Sequence, residues 1–307
     1  MLVTGSSTTS WPTSPSSCTS DPRPDPGILG AWSDRAARLR LVHPFPSFLN
    51  GVVTLAFGLF AGAPWVTAAR LGLAMTAFQF SIGALNDLQD ASIDAGRTPL
   101  KPVAAGLVSR RTATLVAVVA ALAGLGLTLP SGAGALGIAA TGLACGYAYD
   151  VRLSRTAWSW LPLAVALPLV PVFAWVGSVG SVPDAISAIV PAAVLAGAGL
   201  AIGNALVDQG GPGGSAATVA DRLGPRRAWV LHSVVLTGAI GWAIGQRASP
   251  VPEVGTAVMA LGIGLAVAGM VGLLAFSGRW RRLAWQVEAL GVAAVGVAFV
   301  LALGGHS

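Results

Sequence analysis

The stretch LGLAMTAFQFSIGALNDLQDASID, residues 71–94, runs from an uncharged apolar segment, Leu71 to Leu85, into Asn86 and three aspartates, Asp87, Asp90 and Asp94. The following residues, AGRTPLKPVAAG at 95–106, add Arg97 and Lys101. Only 10% of the chain is charged, so three acids within eight positions at the end of an apolar run require a physical reason.

Outward from this stretch the chain stays apolar. A mean hydropathy of +0.73 with 54% hydrophobic residues and 40 glycines describes a polytopic membrane protein, not a soluble domain built on one core. From about Pro46, segments long enough to cross ~30 Å of hydrocarbon alternate with short polar joints. They cover 46–62, 67–86, 112–129, 132–149, 159–178, 185–205, 227–245, 254–276 and 284–304. Lipid offers no partner to an unpaired backbone amide, so each is expected to be helical. The expected fold is therefore all-α, a membrane bundle of about nine transmembrane helices.

Residues 1–30 differ, being rich in Ser, Thr and Pro and too poor in apolar residues to build a core; a disordered tail is expected there. The tail lacks both the basic start and the continuous apolar middle of a signal peptide, so it is read as retained. Residues 31–307 are read as one transmembrane domain. Two cysteines, Cys18 and Cys145, suggest neither a disulfide framework nor a metal cluster.

The basic residues orient the bundle. Of 18 Lys and Arg, 16 lie in the amino-terminal segment or in the connections after even-numbered helices; only Arg70 and Arg247 fall opposite. By the positive-inside rule, the amino terminus and the acidic stretch face the cytoplasm of a multi-pass membrane protein. The net charge of +6 then reflects topology and attraction to lipid headgroups, and no nucleic acid partner is expected.

Asp87, Asp90 and Asp94 sit where the second helix reaches that surface, within about 60° of one another if the helix continues. Three such charges repel unless a cation is shared. Hard oxygen donors at this spacing suit Mg²⁺, which binds through one or two carboxylates plus substrate phosphate oxygens. The implied ligand is a metal diphosphate, with Arg97 as a fork and Lys101 as a point charge on its remaining oxygens. A merely solvated helix end would place acids against the macrodipole. A second site, GNALVDQGGPGGSAAT at 203–218, repeats the N-x-x-x-D spacing at Asn204 and Asp208, 118 residues on and after another even-numbered helix. The repeat suggests two similar halves around a central cavity, related about an axis along the membrane normal.

These features together resemble the UbiA superfamily of intramembrane prenyltransferases: N86-D-x-x-D90-x-x-x-D94, K101-P-x-x-x-G106 and a second acidic motif after helix 6. Supporting segments are HPFP at 43–46, YDVRLSRTAWSWLP at 149–162 and TVADRLG at 218–224. The resemblance implies a polyprenyl diphosphate held through Mg²⁺ at both motifs. It makes Asp87, Asp90 and Asp94 ligands or orienters of one ion, and gives a second ion to Asp208 with Asn204. Asn86, Arg97, Lys101 and Arg155 would bind the diphosphate, and a lipophilic or aromatic acceptor would capture the allylic cation. The second motif departs from the pattern: the family has acids where this chain has Ala205 and Pro212.

Other conspicuous residues carry weaker expectations. Trp65, Trp158, Trp160, Trp242, Trp280 and Trp285 suit an interfacial belt. Tyr147 and Tyr149 serve as anchors or cation-facing rings, His43 and Asp150 are candidate proton acceptors, and Glu288 sits near the cavity or snorkels to the interface. The sequence thus reads as a Mg²⁺-dependent prenyltransferase of quinone or meroterpenoid type biosynthesis. A terpene cyclase on the same scaffold, with no separate acceptor, is the alternative; a transporter fits less well because the acids lie at one surface.

Overall fold

A computed structural model describes residues 38–93, 101–182, 184–209, 217–246 and 253–303. Nine long helices are present among the described residues: α1 (Pro44–Phe60), α2 (Trp65–Asp90), α3 (Arg110–Thr128), α4 (Gly132–Ala148), α5 (Leu161–Val179), α6 (Ile186–Asp208), α7 (Pro225–Gly245), α8 (Glu253–Ala275) and α9 (Gly278–Leu303). Each expected span is found, and most boundaries shift by a few residues at most. The larger differences are at α2, which continues through the first acidic residues to Asp90, and at α9, which starts at Gly278 instead of 284. Seven segments are long and apolar enough to cross a membrane; residues 110–153 count as one of them, and α1 falls short with 17 residues.

Polar residues set several ends. Pro44 occupies the first turn of α1, where its missing N–H costs nothing, and the Ser47 hydroxyl donates to the carbonyls of Val42 (2.8 Å) and His43 (2.9 Å). The Ser109 side chain caps α3 by accepting from Thr112 N–H at 3.1 Å. At the opposite end of the bundle, Arg70 donates to the Leu127 carbonyl and, at 2.8 Å, to Ser131 Oγ, which donates to the Gly177 carbonyl at 2.7 Å. A cation is thereby placed on the carboxyl terminus of α3, where the macrodipole favours it.

Packing follows the repeat. α1 pairs with α2 and α2 with α3; 118 residues on, α5 pairs with α6 and α6 with α7. The two halves meet where α1 packs on α5, and α9 closes the bundle by packing on α1, α6 and α8. The outer faces carry large apolar side chains, such as Leu115, Val119 and Leu122 on α3 and Leu261, Val271 and Leu274 on α8, as lipid-facing surfaces require. Inside, small residues let backbones approach: a Cβ at Gly291 would lie 2.3 Å from Ala266 N and 2.6 Å from the Gly262 carbonyl oxygen, so α8 and α9 touch there through backbone.

Candidate active site

The site forms where the carboxyl ends of α2, α4 and α6 meet. α4 does not stop cleanly: Tyr149–Leu153 forms a single π turn, a widening often used to re-aim side chains at functional sites. Its first two residues point to different motifs. The Tyr149 side chain stands beside Asn204, within electrostatic reach of Asp208, Asp150 and Asp90. Asp150 is buried, and its Oδ1 accepts from Asn86 Nδ2 at 3.1 Å. One turn of backbone thus connects two motifs that lie 118 residues apart in sequence.

The first motif divides its labour. Asp90 is partly exposed and lies 3.3 Å from Lys101 Nζ, which also donates to Asn86 Oδ1 at 2.9 Å. Asp87 is fully buried, and its Oδ2 accepts from Val103 N–H at 3.0 Å, which holds the 101–106 segment against α2. A hydrogen bond to a charged acceptor of this kind is worth ~1.5–3 kcal/mol. The α-helix closes at Asp90, with Ile93 N–H bonded to the Asp90 carbonyl at 2.9 Å. Two of the expected site residues, Asp94 and Arg97, lie outside the described residues, as do the tail and Pro212.

His43 starts α1 with a left-handed backbone (φ 46°), unusual for a residue with a side chain. It packs on Gly83, one turn before Asp87: a Cβ at Gly83 would stand 3.3 Å from His43 Cβ and Cδ2 and 3.1 Å from the Val42 carbonyl carbon.

The second motif is more open. Asp208 lies 3.5 Å from Arg282 Nη2, the two side chains 40% and 62% exposed, so this pair contributes little to stability. Arg281 Nη1 donates to the Leu206 carbonyl at 3.3 Å. After the undescribed residues 210–216, the chain docks on the α4–α5 connection, where Ala217 N–H donates to the Arg155 carbonyl at 3.2 Å. Arg155 is thereby brought beside the second motif, its side chain exposed. Asp221 closes a capping box with Thr218, which accounts for it structurally.

Beneath the polar cluster lies a cavity of about 70 Å³. Met75, Gln79 and Ile82 line it from α2, on the helix face that leads to Asn86, and Leu163 and Leu167 line it from α5. Phe78 and Phe173 lie at its wall in edge-to-face contact, with ring centroids 6.4 Å apart.

Two expectations change inside the second half. Glu288 neither snorkels nor lines the cavity: it is fully buried and 3.2 Å from Nε2 of the equally buried His232, a residue to which the sequence reading gave no role. His232 Nδ1 is 2.8 Å from the Gly199 carbonyl oxygen; a carbonyl only accepts, so Nδ1 carries the proton. The available signal was an ionisable residue inside the apolar run of each helix, past the arginines of its first turn. Trp285 likewise leaves the expected belt. Its indole donates to the Leu200 carbonyl at 3.1 Å and packs edgewise on Phe45, and α9, which begins at Gly278, places the residue about two turns inside the helix. Trp65, Trp158 and Trp280 are exposed.

Among the described residues, no group of three or more His, Cys, Asp or Glu side chains could hold a metal ion by itself.

The model of the UbiA prenyltransferase family matches residues 51–289. A UbiA homolog from Archaeoglobus fulgidus bound to GPP and Mg²⁺ is similar in structure, with a TM-score of 0.66 and 18% identity over 86% of this chain and 99% of the other. The apo structure of a UbiA homolog from Aeropyrum pernix K1 has a TM-score of 0.63 and 19% identity, over 84% and 96% of the two chains. Digeranylgeranylglyceryl phosphate synthase has a TM-score of 0.61 and 14% identity, over 88% and 98%. No curated protein matches the sequence.

Proposed function

The chain belongs to the UbiA prenyltransferase family, and from that premise we propose that it transfers a prenyl group from a polyprenyl diphosphate to an aromatic or other lipophilic acceptor, with Mg²⁺, at the cytoplasmic face of the membrane. The observation that carries this reading is the convergence of both acidic motifs on the π turn, through Tyr149 to Asn204 and Asp150 to Asn86, above an apolar cavity. The donor set suits a shared ion: the hard carboxylate oxygens of Asp90 and Asp208 match what Mg²⁺ takes when phosphate completes its coordination. The archaeal homolog bound to GPP and Mg²⁺ supports the same reading.

Asp90 and Asp208 would hold the ions, joined by Asp94 from outside the described residues. Asp87 acts as an orienter through Val103. When bound, Mg²⁺ offsets the negative charge that gathers on the leaving diphosphate. Lys101, poised on Asn86 and Asp90, supplies a preorganised cation beside that charge, with Arg97 and Arg155 as further donors. Below them Ile82, Leu163 and Leu167 offer the prenyl chain apolar contact and keep water from the developing allylic cation.

Purified protein with Mg²⁺ is expected to release diphosphate from at least one member of a panel of prenyl diphosphates of graded length, and Asp90→Ala to abolish that release while the protein stays folded. Release by Asp90→Ala at the wild-type rate would remove Asp90 from the site. The reduced second motif, with Ala205 and Pro212 at acid positions, favours one other reading, a terpene cyclase on the same scaffold. Product mass separates the two, since a cyclised hydrocarbon or terpene alcohol contains no acceptor.

A further inference from the structure

Asp150 has features that neither motif accounts for. It is 5% exposed, and its Oδ2 is buried without a hydrogen-bond partner, while Oδ1 accepts from Asn86. A buried carboxylate oxygen left unsatisfied costs on the order of 1–3 kcal/mol, more when charged. A fold retains such a group most readily where something binds it. The position is specific: the π turn sends Asp150 to Asn86, while its neighbour Tyr149 stands beside Asn204. Lys101 ties the same Asn86 to Asp90.

The second motif, meanwhile, is short of carboxylates. Within the described part of it Asp208 is the single acid, partly exposed and facing Arg282, and the two positions that would add charge are Ala205 and Pro212. A hard cation sharing a diphosphate needs anionic oxygen from the protein to fix it against the leaving group. Asp150, on the adjacent π turn at the same end of the bundle, adds a carboxylate to the cluster of Asn86, Asp90 and Lys101.

We propose that Asp150 is a carboxylate ligand of the divalent-ion and diphosphate complex, joining Asp90 through the Asn86 and Lys101 cluster and adding a carboxylate to a site whose second motif is short of them. The inference rests on the reading of the site as a prenyl diphosphate site, and adds a ligand from the α4–α5 connection to those of α2 and α6.

The test counts Mn²⁺ bound to the full chain by electron paramagnetic resonance, with inorganic diphosphate present and no prenyl donor, so that turnover plays no part. Wild-type protein is expected to bind Mn²⁺ in a diphosphate-dependent manner. Asp150→Asn, which keeps the shape and the hydrogen-bonding contact with Asn86, is expected to weaken that binding at least tenfold. Asp150→Ala serves as the second variant should the first not fold, with the same expectation. If a folded variant binds Mn²⁺ as tightly as wild type, Asp150 is not a ligand and the proposal falls, while the prenyl diphosphate reading stands. If wild-type protein binds no Mn²⁺ with diphosphate, that reading falls first and the proposal with it.

Discussion

Replacing His232 with Ala removes a fully buried ring that joins three helices. On α7, His232 meets the Gly199 carbonyl of α6 at 2.8 Å and the Glu288 carboxyl of α9 at 3.2 Å. Because Nδ1 must donate to the carbonyl, the contact with Glu288 holds one proton however it is shared, either as imidazolium and carboxylate or as imidazole and carboxylic acid. Both arrangements are neutral overall, which is how the pair persists inside an apolar bundle. Removing the ring strands Glu288, and breaking a buried pair in this way costs ~3–5 kcal/mol, a fall in melting temperature of roughly 10 °C. Glu288→Gln should cost only about 1 kcal/mol, since the amide can donate to Nε2 while Nδ1 keeps Gly199. The double change His232→Leu with Glu288→Met should recover most of the loss of the single His232→Ala, because no polar group is then stranded. Thermal unfolding of the purified protein in one detergent compares all three. Equal losses for His232→Ala and Glu288→Gln would show that the fold needs the charges themselves, and an unchanged melting temperature for His232→Ala would refute the clamp. The ring also packs beside Gly203, where a Cβ would stand 2.7 Å from His232 Cε1, next to Asn204. His232→Ala should therefore raise the KM for the prenyl donor as well.

Asp87→Ala leaves the buried Val103 N–H without its acceptor, at a cost of about 1–3 kcal/mol; hydrogen exchange over residues 101–106 should quicken, and unchanged protection would show the segment is held by other contacts. Phe173→Ala, at the cavity wall against Phe78, should cost ~3–5 kcal/mol and shift donor preference toward longer prenyl chains; an unchanged length profile would place the chain elsewhere. Tyr149→Phe removes the hydroxyl that stands beside Asn204 and should lower kcat/KM roughly fivefold, about 1 kcal/mol; full activity would mean the approach of Tyr149 to the second motif is dispensable. Arg70→Ala uncovers the Leu127 carbonyl and frees Ser131; it should lower the melting temperature without changing activity, since it acts at the far end of the bundle.

The helices were legible because lipid forces one solution: an apolar run of sufficient length must satisfy its own backbone. The repeat was legible because Asn86 and Asn204 occupy equivalent helix ends, and the packing of α1–α3 recurs in α5–α7. Side-chain direction was less accessible. Spacing grouped Asp87 with Asp90, and the 101–106 segment meets both, yet Asp87 is buried on the Val103 N–H and Asp90 stays partly exposed beside Lys101. Trp285 sat near an expected helix end, but α9 starts earlier than its apolar run, so the residue lies about two turns into the helix, where its indole reaches the Leu200 carbonyl.

By itself the sequence determined that this is a helical membrane bundle with an acidic site at one end, because hydropathy and charge are local properties that a bilayer reads directly. Only the tertiary structure decided what joins that site. The π turn after α4 has no signature in hydropathy, and the meeting of Asp150 with Asn86 and Tyr149 with Asn204 depends on how three helix ends pack. The same holds for His232 and Glu288, 56 residues apart: each looks costly alone, and only their contact makes either one stable in an apolar interior.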